Sequence, residues 1–592
     1  MSSFRTRAMV MVVIFSLGFT LLSTRLIYIQ LIEHTHYQEI AIRRQYDRFP
    51  VAAKRGNIYD AQGRVVAQSV QVFDIRVDGK LAVQNPKGMA ELAEALELRV
   101  ADLNKKITAN NRYILIEEEV SPECLDKIKD LKLKEVILSE RTRRFYPNGN
   151  EASHLVGFVN RANLRTDVDN KNLLTELGAG GVEQVMETFL RGVPGERRVV
   201  RDRARAEIAA YRMADIKPRN GLNVVLTIDT SIQHAVEQEA DRMVQDFTPK
   251  GLHIVVVRPS TGEILAMTSR PTFDPNERKT MTPETLRNGA IMDIYEPGST
   301  FKLVTLSAVL NEGVADLNTQ IFAENGKFFY AGSWLNDTHP HGMLSLGEGL
   351  KVSSNIVFAK MGLLIGQEKM YRYARLMGFG DSTQPASLAL GGEQVGILHP
   401  LRKWSAVSLT RIPIGYEICV TNLQMAMAVS AMANEGKLME PRLIKGVIDD
   451  QGRVVKQFLP RMVRQVVDKD AAAKVCLAMR GVVSDDGTGG QAAVAGFMAA
   501  GKTGTSRKAI NGSYKSGAYM SSFIGFLPAD KPEFLVSIVV DQPQGKTFYG
   551  GSVAGPAFSN IATKVAQQLN LAPDNVTAPK KAFVKGGPNE KT

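Results

Sequence analysis

The hydrophobic pattern begins with a run that has no charged residue, "AMVMVVIFSLGFTLLST" from Ala8 to Thr24, and "RLIYIQLI" prolongs it past Arg25. A helix of that length crosses a bilayer, with Arg25 snorkelling at its outer end. No small-x-small cleavage site follows, so the run reads as an uncleaved anchor, not a signal peptide. Arg5 and Arg7 favour a cytoplasmic N-terminus, and the arginines at 43, 44 and 48 lie on the other flank. Long domains translocate largely regardless of such charges. The expected layout is a cytoplasmic tail (1–7), a membrane anchor (8–32) and the remaining mass outside the cytoplasm.

Beyond the anchor the pattern alternates between short strands and amphipathic segments. "GMAELAEALEL" predicts a helix in the stretch before residue 217, and "DAQG" predicts a turn. "KPRNGLNVVLTID" is a turn followed by an apolar strand, and a domain boundary is placed there. "HIVVVRPSTGEILAM" predicts a hairpin, and "SFIGFLPADKPEFLVSIVVD" repeats that pattern with a longer turn. Between them lie "FKLVTLSAVLNEG", "SNIVFAKMGLLIG" and "TNLQMAMAVSAMANEG", helical runs that each end at glycine. Strands at both ends with helices between predict one sheet built from the two ends. The expected domains are 33–217 and 218–570, followed by a polar, proline-containing tail at 571–592.

Composition narrows the class. A chain of 592 residues exceeds one ordinary domain. With 44% hydrophobic and 23% charged residues it is globular. The net charge of +12 invites a nucleic-acid reading, but basic and acidic residues alternate and no nucleic-acid motif accompanies them. The excess favours anionic surfaces in general, and nucleic acid is not an expected partner. "GERRVVRDRARAEI" is read first as a solvated face. Cys124, Cys419 and Cys476 lie far apart and form no CxxC pair, so neither a disulfide framework nor a cysteine-rich metal site is expected. His34, His36, His339 and His341 lack ligand spacing, and no metal or cofactor is predicted. The glycines of "DDGTGGQ" stand too far from Lys502 for a phosphate loop and read as a flexible loop.

Candidate chemistry starts with "EPGSTFKLVTLSAVL", where Ser299 and Lys302 head an apolar segment. If the helix begins near Ser299, the two side chains share a face. A serine hydroxyl needs a base to become nucleophilic, and a lysine serves only when neutral, which burial and a second cation both promote. The alternative is a capping serine beside a lysine whose head reaches solvent. Two further stretches decide between these readings. "KVSSNIVFAK" contains Ser353-Ser354-Asn355, and "FMAAGKTGTS" contains Lys502-Thr503-Gly504-Thr505. S-x-x-K, S-x-N and K-T-G in that order form the signature of penicillin-recognising serine transpeptidases and β-lactamases.

The chain resembles the class B penicillin-binding proteins. "RNGAIMDIYEPGSTFKL", "RPSTGEILAMTSRPTFDPN" and "YGGSVAGPAF" match the transpeptidase context, and "KRGNIYDAQGRVVA" and "GAGGVEQVMETFLRGVPG" match the pedestal. "RKWSAVSLTRIPIGYEICVTNLQMAMAVSAMANEG" is similar to the septal, cell-division type, departing from it at "IPIGYEI". The resemblance implies an α/β penicillin-binding serine transpeptidase fold, an antiparallel sheet flanked by helices. An elongated α+β pedestal and one transmembrane helix precede it. It further implies that Ser299 attacks the D-Ala-D-Ala end of a peptidoglycan stem peptide and that Lys302 takes its proton. Ser353 would relay a proton to the leaving amine, while Asn355 holds the substrate amide and Lys302. Lys502 would depress the pKa of Lys302 and attract the substrate carboxylate, with Thr503 and Thr505 offering hydroxyls. Gly504 would let a peptide lie along the strand, and the N–H groups of Ser299 and Thr505 would form the oxyanion hole. Implied partners are stem peptides, β-lactam antibiotics, the membrane, a polytopic glycosyltransferase and other division proteins. Side-wall transpeptidase and D,D-carboxypeptidase remain the alternatives. A β-lactamase is disfavoured by the lack of an E-x-x-L-N element between Asn355 and Lys502, and a β-lactam sensor by the single span.

Overall fold

The computed structural model describes residues 2–37, 46–108, 110–111, 113–166, 168, 172–200, 215–380, 390–510, 513–545 and 547–574. The arginines at 43 and 44, those from 201 onward in the basic run, and most of the polar tail lie outside the described residues.

Contacts divide the chain into two compact units. The smaller comprises Met1–Arg55, Arg161–Glu176 and Arg191–Gly221. Its apolar N-terminal run forms a helix, Ser2–Ile27, that continues as a π-helical turn over Tyr28–Ile32. Within the segment Ser3–Ile32 an 18-residue window has a mean hydropathy of 2.0, and the segment is long and apolar enough to cross a membrane. In the same unit, Tyr46–Val51 pairs antiparallel with Gly195–Val200, Phe49 opposite Arg197.

The larger unit comprises Gly56–Asn160, Leu177–Leu190 and Leu222–Thr592. Among the described residues it holds a seven-stranded and a five-stranded sheet besides several strand pairs. The seven-stranded sheet brings Ile58–Tyr59 and Val65–Val77 beside Asn223–Leu226 and Ile444–Ile448, residues far apart in sequence. The five-stranded sheet is the one the strand pattern predicts, built from segments at the two ends of the stretch 251–541. The hairpin Gly251–Arg258/Glu263–Arg270 joins Phe534–Asp541, then Ser513–Leu527, then Ala500–Ile510 at the edge.

Both faces of that sheet are covered, so Gly251–Arg258 is buried on both sides and reads as a continuous apolar run. Ile254 and Val256 pack with Thr230–Phe247 and Gly555–Gln568, through Val236, Phe558 and Ile561 among others. Val255 and Val257 face the opposite core, with the buried helix Asn422–Ala433. Asn422 is accommodated there by donating to the carbonyls of His253 (3.0 Å) and Ser537 (3.3 Å). Its Oδ1 accepts from Ser537 Oγ. The three predicted helices span Lys302–Asn311, Asn355–Ile365 and Asn422–Ala433. Gly366 caps the second at φ +80°, a conformation that favours glycine. The cysteines are free thiols, half-buried and not fully enclosed.

Candidate active site

Ser299 lies in the turn that leads into the helix. Gly298–Phe301 is a 3₁₀ turn, and the α-helix starts at Lys302. The turn is pressed between two neighbours. The Gly298 N–H donates to Gly415 O at 3.1 Å. A Cβ on Gly415 (φ +84°) would stand 2.1 Å from Gly298 O, so only glycine fits. On the other side Ser506 Oγ donates to Glu296 O at 2.7 Å, tying the turn to the edge strand. The Glu296 carboxylate accepts from the Glu417 N–H (3.0 Å) and from Tyr514 Oη (3.1 Å to each oxygen). Burial raises its pKa.

Lys302 is completely buried. Its Nζ donates to Ser353 O at 2.6 Å, Asn355 Oδ1 at 2.9 Å and Ser353 Oγ at 3.2 Å. It also stands 5.8 Å from the centre of the Phe358 ring. Lys502, also completely buried, donates to Ser353 Oγ at 2.9 Å and to Thr503 O and Oγ1 at 3.0 and 3.3 Å. The S-x-N hydroxyl therefore sits between two ammonium groups. To reach that place Ser353 adopts φ +61°, left-handed backbone that costs a non-glycine residue about 1–3 kcal/mol.

Burial drives the pKa of Lys302 down to about 7, because the charged form loses its water. The negative charge of Asp337 opposes that shift. Burial also takes Lys502 well below its ordinary value, and repulsion from Lys302 adds to it. Burial is thus the first cause for both lysines.

Asp337 is the residue the motif reading missed. It sits in "NDTHPHG", a stretch read only for its histidines, and nothing in its spacing from Ser353 distinguishes it. Its Oδ1 accepts the N–H groups of Asn355 (2.5 Å) and Ile356 (3.1 Å). Its Oδ2 accepts from Ser354 Oγ at 2.5 Å. Ser354 itself caps the helix by accepting the Val357 N–H at 3.1 Å. The carboxylate therefore occupies the positive end of the helix Asn355–Ile365. Asn355 is oriented from its other side, donating Nδ2 to Asn336 O at 2.9 Å.

The K-T-G residues lie on the edge strand, opposite Ile524, Phe523 and Ser522 of the next strand. Among the described residues no strand pairs with its outer side. At Gly504 the backbone is itself closely packed. A Cβ there would meet Ser522 Oγ at 2.3 Å, Thr300 Cγ2 at 3.0 Å and Pro297 O at 3.2 Å. The absent side chain lets the strand approach the serine turn. Thr503 Oγ1 donates to Thr488 Oγ1 at 3.1 Å, and Thr488 Oγ1 bonds Lys351 O at 3.3 Å. The segment expected as a flexible glycine loop is thus tied to the site. Thr505 Oγ1 accepts the Gly550 N–H at 2.9 Å and keeps its own proton to donate.

A serine-bearing turn, two buried amines converging on one hydroxyl, and an open sheet edge are the arrangement expected of an active-serine, penicillin-recognising protein. Residues 252–563 match the penicillin-binding protein transpeptidase domain, and residues 50–226 match the penicillin-binding protein dimerisation domain. The chain belongs to the penicillin-binding protein transpeptidase family, in its class B. It is 33% identical to Stage V sporulation protein D of Bacillus subtilis over 94% of this chain and 84% of that protein. It is 31% identical to the peptidoglycan D,D-transpeptidase FtsI of Escherichia coli over 89% of this chain and 86% of that one. Penicillin-binding protein 3 of Mycobacterium tuberculosis, solved with aztreonam, superposes with a TM-score of 0.66 at 26% identity. That match covers 89% of this chain and 98% of that one.

Proposed function

We propose that this chain is a membrane-anchored peptidoglycan D,D-transpeptidase of the septal type. Residues 8–32 serve as its anchor and 218–570 as its catalytic domain, held outside the cytoplasm. The observation that carries the chemistry is the convergence of Lys302 and Lys502 on Ser353, with Lys302 titrating near 7.

A neutral Lys302 has two N–H donors, which satisfy Ser353 O and Asn355 Oδ1, and one lone pair for the Ser299 proton. Ser299 Oγ attacks the carbonyl carbon between the two terminal D-alanines as its proton passes to Lys302. The amides of Ser299 and Thr505 receive the developing oxyanion. Lys302 then returns a proton to Ser353 Oγ, which gives its own to the departing D-alanine amine, and the C–N bond breaks. An amine of a second stem attacks the ester carbonyl, loses a proton back along the same route, and frees Ser299. Thr505 donates to the substrate carboxylate, whose negative charge restores the proton affinity of Lys502. The stem lies along the open edge as an added strand. β-Lactams acylate Ser299 because they imitate that substrate.

The septal assignment rests on the resemblance of the "RKWSAV" to "VTNLQM" segment to the cell-division type. It brings a polytopic glycosyltransferase and other division proteins as partners. Fluorescent penicillin tests the nucleophile: Ser299→Ala is expected to abolish labelling, and labelling at the wild-type rate would place the nucleophile elsewhere. Mass analysis of cross-linking products separates acceptors, since trimmed stems without dimers would make the enzyme a carboxypeptidase. A fluorescent fusion spread along the side walls would overturn the septal role.

A further inference from the structure

An aromatic pair stands exposed on the hairpin that supports Asn355. Lys327–Tyr330 pairs antiparallel with Ser333–Asn336, placing Phe329 opposite Trp334 and Lys327 opposite Asn336. Strand alternation therefore puts these four side chains on one face. Phe329 is 55% and Trp334 59% exposed, whereas Leu335 on the other face is 5% exposed. The two rings lie 5.1 Å apart at 56°, forming one continuous apolar surface. Their support is fixed: Arg411 donates to Ser333 Oγ at 2.8 Å and to Trp334 O at 3.1 Å. Behind them Phe328 stacks on Tyr330, with Lys360 5.3 Å from the Phe328 ring centre.

This face is continuous with the active site. Asn336 O, two residues from Trp334, holds the amide of Asn355, and Asp337 follows directly. The Trp334 and Asn336 Cα atoms are thus separated by roughly 7 Å of strand. In the reading above, the substrate carboxylate lies at Thr505 and Asn355 holds the amide on the N-terminal side. The stem then leaves the site past Asn355, toward the hairpin. Its sugar follows within a few residues, on the order of 15 Å of extended peptide.

We infer that the Phe329–Trp334 face is a subsite for the glycan strand that carries the stem peptide. The apolar C–H faces of N-acetylated sugar rings stack on the aromatic pair, and Lys327 and Asn336 supply polar contacts beside them. The inference rests on the transpeptidase reading and adds a recognition element outside the peptide groove. Such a subsite would let the enzyme prefer stems borne on polymer over free stem peptide.

The test compares two reactions of the full-length protein in detergent. Phe329→Ser/Trp334→Ser is expected to raise KM for polymerised, lipid-linked glycan about five- to tenfold, the effect of losing one or two aromatic contacts. Acylation by fluorescent penicillin, which carries no sugar, keeps its rate within about twofold and certifies the fold. Phe329→Tyr/Trp334→Tyr, which keeps the rings, restores the polymer reaction. An unchanged polymer KM overturns the inference, as does an equal fall in both reactions, which would make the hairpin a support for Asn355 alone. A defect that emerges only when another division protein is added also overturns it, assigning the face to a protein partner. Wild-type protein that takes no penicillin label fails at the transpeptidase reading itself, a result distinct from all of these.

Discussion

Asp337→Asn separates the two things the carboxylate does. The substitution keeps an oxygen for the Asn355 and Ile356 N–H groups but removes the charge that strengthens both bonds. It also replaces the acceptor of Ser354 Oγ with an N–H donor. A hydrogen bond to a charged group is worth about 1.5–3 kcal/mol, against about 1 kcal/mol for a neutral one. The helix N-terminus adds about 0.3–1 kcal/mol. The local loss is then roughly 2–4 kcal/mol. It falls on the loop that holds Ser353 at φ +61°, so that residue is the first to relax. If half the loss reaches the transition state, acylation slows about 5- to 30-fold. Removing the negative charge also withdraws an influence that lifts Lys302, so its pKa moves further down. Stopped-flow acylation by a chromogenic cephalosporin across pH 5–9 reads both effects. The variant should be slower on the plateau, with its acidic limb displaced to lower pH. A variant with the wild-type plateau and a limb still centred near 7 would refute the assignment.

In the wild type, acylation should fall about tenfold per pH unit below 7 and level off above it, because a lowered lysine pKa leaves the base protonated only on the acid side. A flat profile between pH 5 and 7 would remove Lys302 as the base. Gly415→Ala puts a Cβ 2.1 Å from Gly298 O at a positive φ, and should cost several kcal/mol of stability or displace the serine turn. Thermal unfolding together with penicillin labelling shows which. Gly504→Ala forces the strand away from Pro297 and Thr300 and should lower acylation about 10- to 100-fold with little change in far-UV circular dichroism. Removing residues 1–32 should yield a protein that partitions into buffer and acylates at the wild-type rate. A lost rate would give the apolar helix a catalytic role.

Much of the site was legible from local order alone. Ser299 and Lys302 are three residues apart, Ser353 and Asn355 two, and Lys502 to Thr505 contiguous, so their grouping survives any packing of the segments around them. The hairpins were legible for the same reason, since alternation and turn residues act over a few positions. Only the tertiary structure brought in Asp337, because its partners are the backbone and hydroxyl groups of a helix start some 17 to 19 residues away. Only it set the lysine pKa shifts, because burial and Coulomb interaction depend on where Lys302 and Lys502 end up, 200 positions apart in sequence. The sequence marked Gly504 as part of a motif, while its contact with Pro297 and Thr300 belongs to the meeting of two segments that share no local pattern. The chain by itself marked out the motif groups proposed to carry the chemistry. Folding decided which of them are dry, which are charged and which face one another, since those properties come from distance through space and not along the chain.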